Sequence, residues 1–599
     1  MEKSNQLVST DTKSEMASDT PPDHREIAVP VLDAAQIYEN EEVEPEFHVR
    51  TWVALVAMWL LSYVTTIALF GPSTVVTNIA QNLDGTGEQT WIPNSLSVAA
   101  ALLGPLFSSA SDVFQARKQI LLVTCTIAFI GSGIAPGAQT MGRLIAAQVV
   151  IGVGYASLPL GYAIPSEILP RRWRPIAQAL MNTAAGSATI SGPLMIGALV
   201  RNNPVDGWRY YYWFEMGLWG LCVLALFFGY QPPKRNTAMD HLSFWQKLQK
   251  LDWIGFALLT AGLSLFLAAM NLGGNQYAWT NARVLVTLIL GLVIMVGFAL
   301  YEWKGTTTGM IHHDIFSLGR RYTRTFTFLC LIFATEAAQL FGFIIFYPIL
   351  TQALYETDPF LINARTEPFW IAATLSSPVW AWASTRFRNI RDPLLAGLVI
   401  YVAGNIGFTT LQPGQSLNAL IFAGIGGIGF GAPLVAIISG IQLSTPHSLI
   451  ATATALAVCS RSIFAAVFTA IFSAVLTNRL PGELASKVPP AIIAAGLPPT
   501  SVEAFIAALT SGDTEALQQV AGVTAEIIGA GVLALQQSYA NAIRVIFIIV
   551  SAFGALAVVF AAFIDDLKSG MNYRVEAPME VLQAKDHHHA DDTVMVRDN

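Results

Sequence analysis

From about residue 50 onward, long apolar runs alternate with short polar stretches. Each run is close to the ~20 residues a helix needs to cross a hydrocarbon layer about 30 Å thick. The pattern predicts helices at about 51–72, 90–111, 119–138, 142–164, 175–200, 208–230, 251–272, 281–302, 325–353, 366–384, 393–411, 417–441, 448–477 and 540–564, fourteen in all. The runs are continuous and lack strict alternation, which favours helices over a β-barrel. A polar stretch at 231–250, with Pro232, Pro233, Lys234 and Arg235, separates the first six from the rest. The longest connection is 478–539. It contains Pro489, Pro490, Pro498 and Pro499 and only short apolar segments, so partly buried or surface-lying helices are expected there. Residues 1–49 hold 12 acidic residues against Lys3, Lys13 and Arg25 and read as a disordered tail. Residues 565–599 read as a second tail.

Composition agrees. Charged residues make up 12% of the 599, about half the ~25% of a typical soluble domain. Mean hydropathy is +0.52. A soluble enzyme, a nucleic-acid binder and a secreted disulfide scaffold are thereby disfavoured. Cys125, Cys222, Cys330 and Cys459 all lie in apolar runs without CxxC spacing and read as small core residues.

Charge orients the helices. With the N-terminus in the cytoplasm, 24 of the 33 Lys and Arg fall inside and seven outside, and both termini are cytoplasmic. Residues 478–539 are then extracellular.

No G-x-x-x-x-G-K-[ST] phosphate cradle is present, so an ATP-driven pump is not expected. Gly424, Gly426 and Gly429 form a G-x-G-x-x-G, but inside an apolar run, where close helix packing is the sensible reading. His587, His588 and His589 read as a solvated run. No cofactor and no metal site are expected.

Ionisable groups inside a membrane are costly and usually face a cavity or a partner. Glu215, Glu336, Arg461 and Arg544 qualify. Glu336 lies twelve residues, about 18 Å, beyond Arg324, and Arg461 about fourteen residues into its own run. Both sit near mid-bilayer, as proton-coupling groups or as a structural pair. Glu215 is a third coupling candidate, although it and Arg544 lie near run ends, where a side chain can reach the interface. Beside Glu336, the residues Gln339, Phe343 and Tyr347 suit a bulky, weakly polar ligand in a substrate cavity, or else pack.

The loop after the second run reads Ser108-Ser-Ala-Ser-Asp112-Val-Phe-Gln115-Ala-Arg117-Lys118. An acid at a helix end followed by a basic pair can clamp neighbouring helices. The segment resembles the cytoplasmic signature of the major facilitator superfamily, with Ser108 and Gln115 where that family has glycine. The resemblance implies a conformational clamp of Asp112, Arg117 and Lys118, joined by Glu167 and Arg171 from Ser166-Glu167-Ile-Leu-Pro170-Arg171-Arg172-Trp173-Arg174. Gly186, Gly192, Pro193 and Gly197 resemble the fifth-span motif of drug:proton antiporters. Gln442-Leu-Ser-Thr-Pro446, the Ala451-Thr-Ala-Thr-Ala stretch, Ala495-Gly496-Leu-Pro-Pro and the acidic tail resemble the fungal trichothecene efflux pump family over about residues 45–565.

These resemblances imply an all-α membrane protein with the major facilitator fold and 14 transmembrane helices. Six-helix bundles at 50–230 and 303–564 would flank two additional spans at 251–302. In such proteins the substrate sits between the halves near the midplane. The implied activity is export of a hydrophobic secondary metabolite, a trichothecene-like mycotoxin or drug, by proton antiport. The expected partners are that small molecule, protons and the lipid bilayer, with no nucleic acid. A monomer in the plasma membrane is expected, with the vacuolar membrane as the alternative. Two rival functions fit the same pattern: a siderophore-iron:proton transporter, which a cavity richer in His, Tyr and Arg would favour, and a non-transporting membrane sensor, which long regulatory tails would favour.

Overall fold

The computed structural model describes residues 44–579 apart from 86–87, 233–241, 275–276, 307–308, 317–318 and 512–513. The acidic stretch up to residue 43 and His587–His589 lie outside the described residues. Each of the fourteen predicted segments is helical. They are α1 (Val49–Thr74), α2 (Trp91–Phe114), α3 (Arg117–Gly137), α4 (Met141–Ile168), α5 (Arg171–Asn202), α6 (Gly207–Gly229), α7 (Trp253–Leu272), α8 (Ala282–Gly305), α9 (Arg320–Leu354), α10 (Glu367–Phe387), α11 (Arg391–Phe408), α12 (Ser416–Leu443), α13 (Ile450–Ala494) and α14 (Ala525–Ala562). Among the described residues, twelve are long and apolar enough to cross a membrane. The other two are α10, diluted by Trp, Ser and Pro, and α11, which opens with Arg391 and Asp392. At 21 and 18 residues they are about 32 and 27 Å long, compatible with fourteen crossings.

Helices α1–α6 enclose one apolar core, with Met58, Leu61, Met181, Trp208 and Trp219 at its centre. Helices α9–α14 enclose the other, in an aromatic half around Phe343, Phe369 and Phe547 and an aliphatic half around Leu329, Leu394 and Ile441. Lipid tails are as apolar as the core, so close backbone approach through small residues stabilises such crossings. At the α11–α12 crossing, a Cβ on Gly404 would stand 2.7 Å from the Cα of Gly426. The two halves meet where α5 runs along α10 and α2 along α13. The α7–α8 hairpin packs over the α2–α13 seam, with Leu263 and Phe266 against the cluster that contains Leu102, Cys459 and Ile463.

Two helices bend at proline. α4 breaks after Tyr155 and restarts at Leu158, next to Pro159. α9 takes a π-turn at Gly342–Phe346 just before Pro348, which lacks the N–H needed to continue the ladder.

Residues 478–539 differ from the short separate helices expected. α13 runs unbroken for 45 residues, with Pro481, Pro489 and Pro490 inside it, and α14 for 38. At about 67 and 57 Å both outrun a hydrocarbon layer. Their projecting ends and Val502–Ser511 enclose a small core of their own, including Val488, Ile492, Phe505 and Ile527. Residues 565–579 also depart from the expected tail. They fold back across the opposite end of the bundle, burying Leu567, Met571 and Val575.

Candidate transport site and gate

α9 and α13 carry Glu336 and Arg461 to the same level of the second half. Arg461 Nε and Nη2 donate to Glu336 Oε2 and Oε1 at 2.8 and 2.9 Å, a bidentate pair across 125 residues of chain. The guanidinium also lies over the ring of Phe333, 4.8 Å from its centre. The side chain of Glu336 is 1% exposed and that of Arg461 25%. The acid is enclosed, whereas the guanidinium reaches the side facing the first half, where Tyr155 and Tyr162 of α4 lie within its electrostatic reach. The pair can exist ionised and fully bonded, or be broken by protonating the acid, which removes one of two buried charges and frees the other.

Glu215 does not join them. It is fully buried between α3 and α6, nine residues into its helix, and does not reach an interface. Ser132 Oγ and Trp219 Nε1 donate to its Oε1 at 3.0 and 3.2 Å.

The cavity candidates are also placed elsewhere than expected. Gln339 Oε1 accepts from Asn405 Nδ2 at 3.0 Å, and the amide sits against Gly554 of α14. Phe343 stacks between Tyr347 and Phe369 at centroid distances of 4.8 and 4.2 Å. All three are buried among helices of the second half, so their contacts are those of packing residues. From Glu336 to Tyr347 helix α9 is mostly apolar, and its sequence does not say which of those apolar side chains meet the seam.

At the basic end, Asp112 bridges the halves. Its Oδ2 accepts from the hydroxyl and backbone N–H of Thr452 at 2.8 and 3.3 Å, so an acid from α2 caps the N-terminus of α13. Its Oδ1 pairs with Arg117 at 3.2 Å, and Arg117 pairs in turn with Glu167. Lys118 stands outside this group. Its Nζ donates to the Phe227 carbonyl at 2.7 Å, tying α3 to the end of α6.

Residues 17–597 match the family described as fungal trichothecene efflux pump (TRI12). The chain belongs to the fungal trichothecene efflux pump family. The MFS-type efflux pump LUC4 of Fusarium sp is 26% identical over 424 residues, covering 69% of this chain and 72% of that one. The efflux pump FUS6 of Gibberella fujikuroi is 25% identical over 415 residues, covering 68% and 71%. Among solved structures, a bacterial homologue of the human lysosomal transporter Spinster, in an inward-facing and unoccupied conformation, superposes with a TM-score of 0.50. It is 16% identical and covers 86% of this chain and 98% of that one. The overall fold is that of the major facilitator transporters, and the protein is an integral multi-pass membrane transporter rather than an enzyme.

In this efflux-pump chain the glycines of α5 serve contacts with other helices. A Cβ on Gly186 would come within 2.9 Å of the Cβ of Thr374, directly across the α5–α10 seam. On Gly192 it would meet Ile67 and the Tyr211 hydroxyl at 3.1 and 3.2 Å, and on Gly197 the Phe360 ring at 3.4 Å. Pro193 lies inside the helix between them.

Several gate residues of this efflux pump escaped the sequence reading as site residues. Arg174 Nη1 donates to the Gln442 carbonyl at 2.6 Å and Asn182 Nδ2 to the Leu434 carbonyl at 2.9 Å, both from α5 to α12. Gln178 Nε2 donates to Gln442 Oε1 at 3.3 Å. Arg171 pairs with Glu576, a residue of the segment after α14. Polar side chains at successive four-residue steps on one face of α5 were the available signal for Arg174, Gln178 and Asn182. Nothing local marked Glu576.

Proposed function

We propose that this transporter exports a hydrophobic secondary metabolite, trichothecene-like in size and polarity, by exchange for protons. The Glu336–Arg461 pair carries the reading. A carboxylate enclosed in the second half, with its only described cationic partner facing the seam, is a group whose protonation changes the charge that the seam presents. A proton arriving at Glu336 releases the guanidinium. The freed cation then seeks water or the tyrosines of α4, and the balance between the two tilts of the halves moves with it.

Orientation follows from the basic residues: the end carrying Arg117, Arg171 and Arg388 faces the cytoplasm, with both termini on that side. In the conformation described here that end is closed by Asp112–Thr452, Arg174–Gln442 and Asn182–Leu434. The working protein is a monomer in the plasma membrane.

The test is efflux of a labelled trichothecene from cells expressing the protein. A protonophore added while ATP is held constant should abolish efflux, and ATP depletion at constant proton gradient should spare it. Efflux that survives the protonophore overturns proton coupling.

A further inference from the structure

We propose that residues 565–579 form a strap that locks the cytoplasmic end shut, with Glu576 as its holding residue. The strap begins on the second half. Asp565 pairs with Arg324 of α9, the Asp566 carbonyl accepts from Arg321, and Leu567 and Met571 lie in the core shared by α9, α12 and α13. It ends on the first half, where Met579 packs against the core of α1–α6. Fewer than fifteen residues therefore cross the seam.

The crossing is made by backbone as well as side chains. The N–H groups of Arg171 and Arg172 donate to the carbonyls of Arg574 and Asn572 at 3.0 and 2.8 Å, and the Ala577 N–H donates to the Glu167 carbonyl at 2.9 Å. Arg172 Nη1 reaches the Tyr573 hydroxyl at 2.7 Å while Nε donates to the Thr385 carbonyl of α10 at 3.3 Å. At the centre, the Glu576 side chain is 3% exposed. It pairs with Arg171 and lies 4.0 Å from Arg174, both on the first half. It lies 3.7 Å from His447, between α12 and α13, and 3.9 Å from Arg574 of the strap itself.

Opening this end moves Arg171 and Arg174 away from His447. Glu576 cannot follow both sides. It must leave one set of partners, and a buried carboxylate stripped of part of its cationic shell is costly. The docked strap therefore favours the closed state by the difference between a full and a partial shell. Arg171 belongs to both devices, since it carries the sequence motif of the clamp and the main contact of the strap. The proposal rests on the alternating-access reading above, but not on proton coupling.

The test reads distances directly. In full-length protein with its four cysteines replaced by alanine, spin labels go on Ile176→Cys and Phe387→Cys, exposed positions at the cytoplasmic ends of α5 and α10. Pulsed electron resonance, without substrate or gradient, then reports how far apart the halves stand. Glu576→Gln should raise the separated population about tenfold, the scale of one lost charge-assisted hydrogen bond. Glu576→Asp, which keeps the charge, should stay close to wild type. A Glu576→Gln distribution that matches wild type overturns the strap. So does a Glu576→Asp distribution as open as that of Glu576→Gln, because shape and not charge would then matter. Proton-driven efflux is scored separately, so failure of coupling and failure of the strap are told apart.

Discussion

The Glu336 carboxylate accepts two hydrogen bonds from one guanidinium, that of Arg461, which also lies over the face of Phe333 one turn away on the acid's own helix. Acid, cation and ring form one stacked unit between α9 and α13. Breaking it requires a proton on the acid or a shift of one helix against the other.

That geometry predicts strong non-additivity. Arg461→Ala leaves a buried carboxylate without its partner, which costs about 3–5 kcal/mol. The purified variant should unfold at a distinctly lower temperature than wild type. Adding Glu336→Gln removes the unpaired charge and should restore most of the loss. If the double variant is no more stable than Arg461→Ala, the pair does not bear charge in the way described.

At the cytoplasmic end, Asp112→Asn removes the charge that caps α13 and pairs with Arg117, while Arg117 keeps Glu167. Losing one charge-assisted contact that exists only in the closed state shifts the equilibrium by about tenfold. Turnover should slow by a comparable factor with surface expression near normal. Unchanged turnover would reduce Asp112 to a loop residue.

The strap has a defined pH behaviour. Burial pushes the Glu576 carboxyl up, but His447, Arg171, Arg174 and Arg574 together more than offset this and hold it well below the usual carboxylate range. A depressed acid stabilises the docked state at every pH above its ordinary value of 4.5 and loses that contribution only as pH falls below it. A His447→Gln background removes the partner whose charge depends on protonation. There, the ratio of separated states between Glu576→Gln and its parent should be flat from about pH 6 to pH 8. A slope in that window would mean that Glu576 is not held ionised.

Much of this architecture was legible because membrane helices write their length and apolarity directly into sequence. Isolated charges in such helices stand out, and Glu336 and Arg461 were legible for that reason. Their partnership was not, because no rule of spacing links residues on α9 and α13. Gln339, Phe343 and Tyr347 were misdirected by a general difficulty: lipid and helix interior are both apolar, so aromatic residues on α9 carry no mark of which they face. Glu215 looked interfacial because it lies near one end of its run, whereas Ser132 and Trp219 enclose it. Glu576 was least legible. Its shell is built from residues 171, 174 and 447, and around it the sequence resembles any short polar tail.

The central claim is that Glu336 carries the coupling proton, and one variant tests it most directly. Glu336→Gln mimics the permanently protonated acid. In vesicles it should exchange labelled substrate for unlabelled at nearly the wild-type rate, while export driven by an imposed proton gradient falls by at least about tenfold. Normal gradient-driven export by Glu336→Gln would contradict the account.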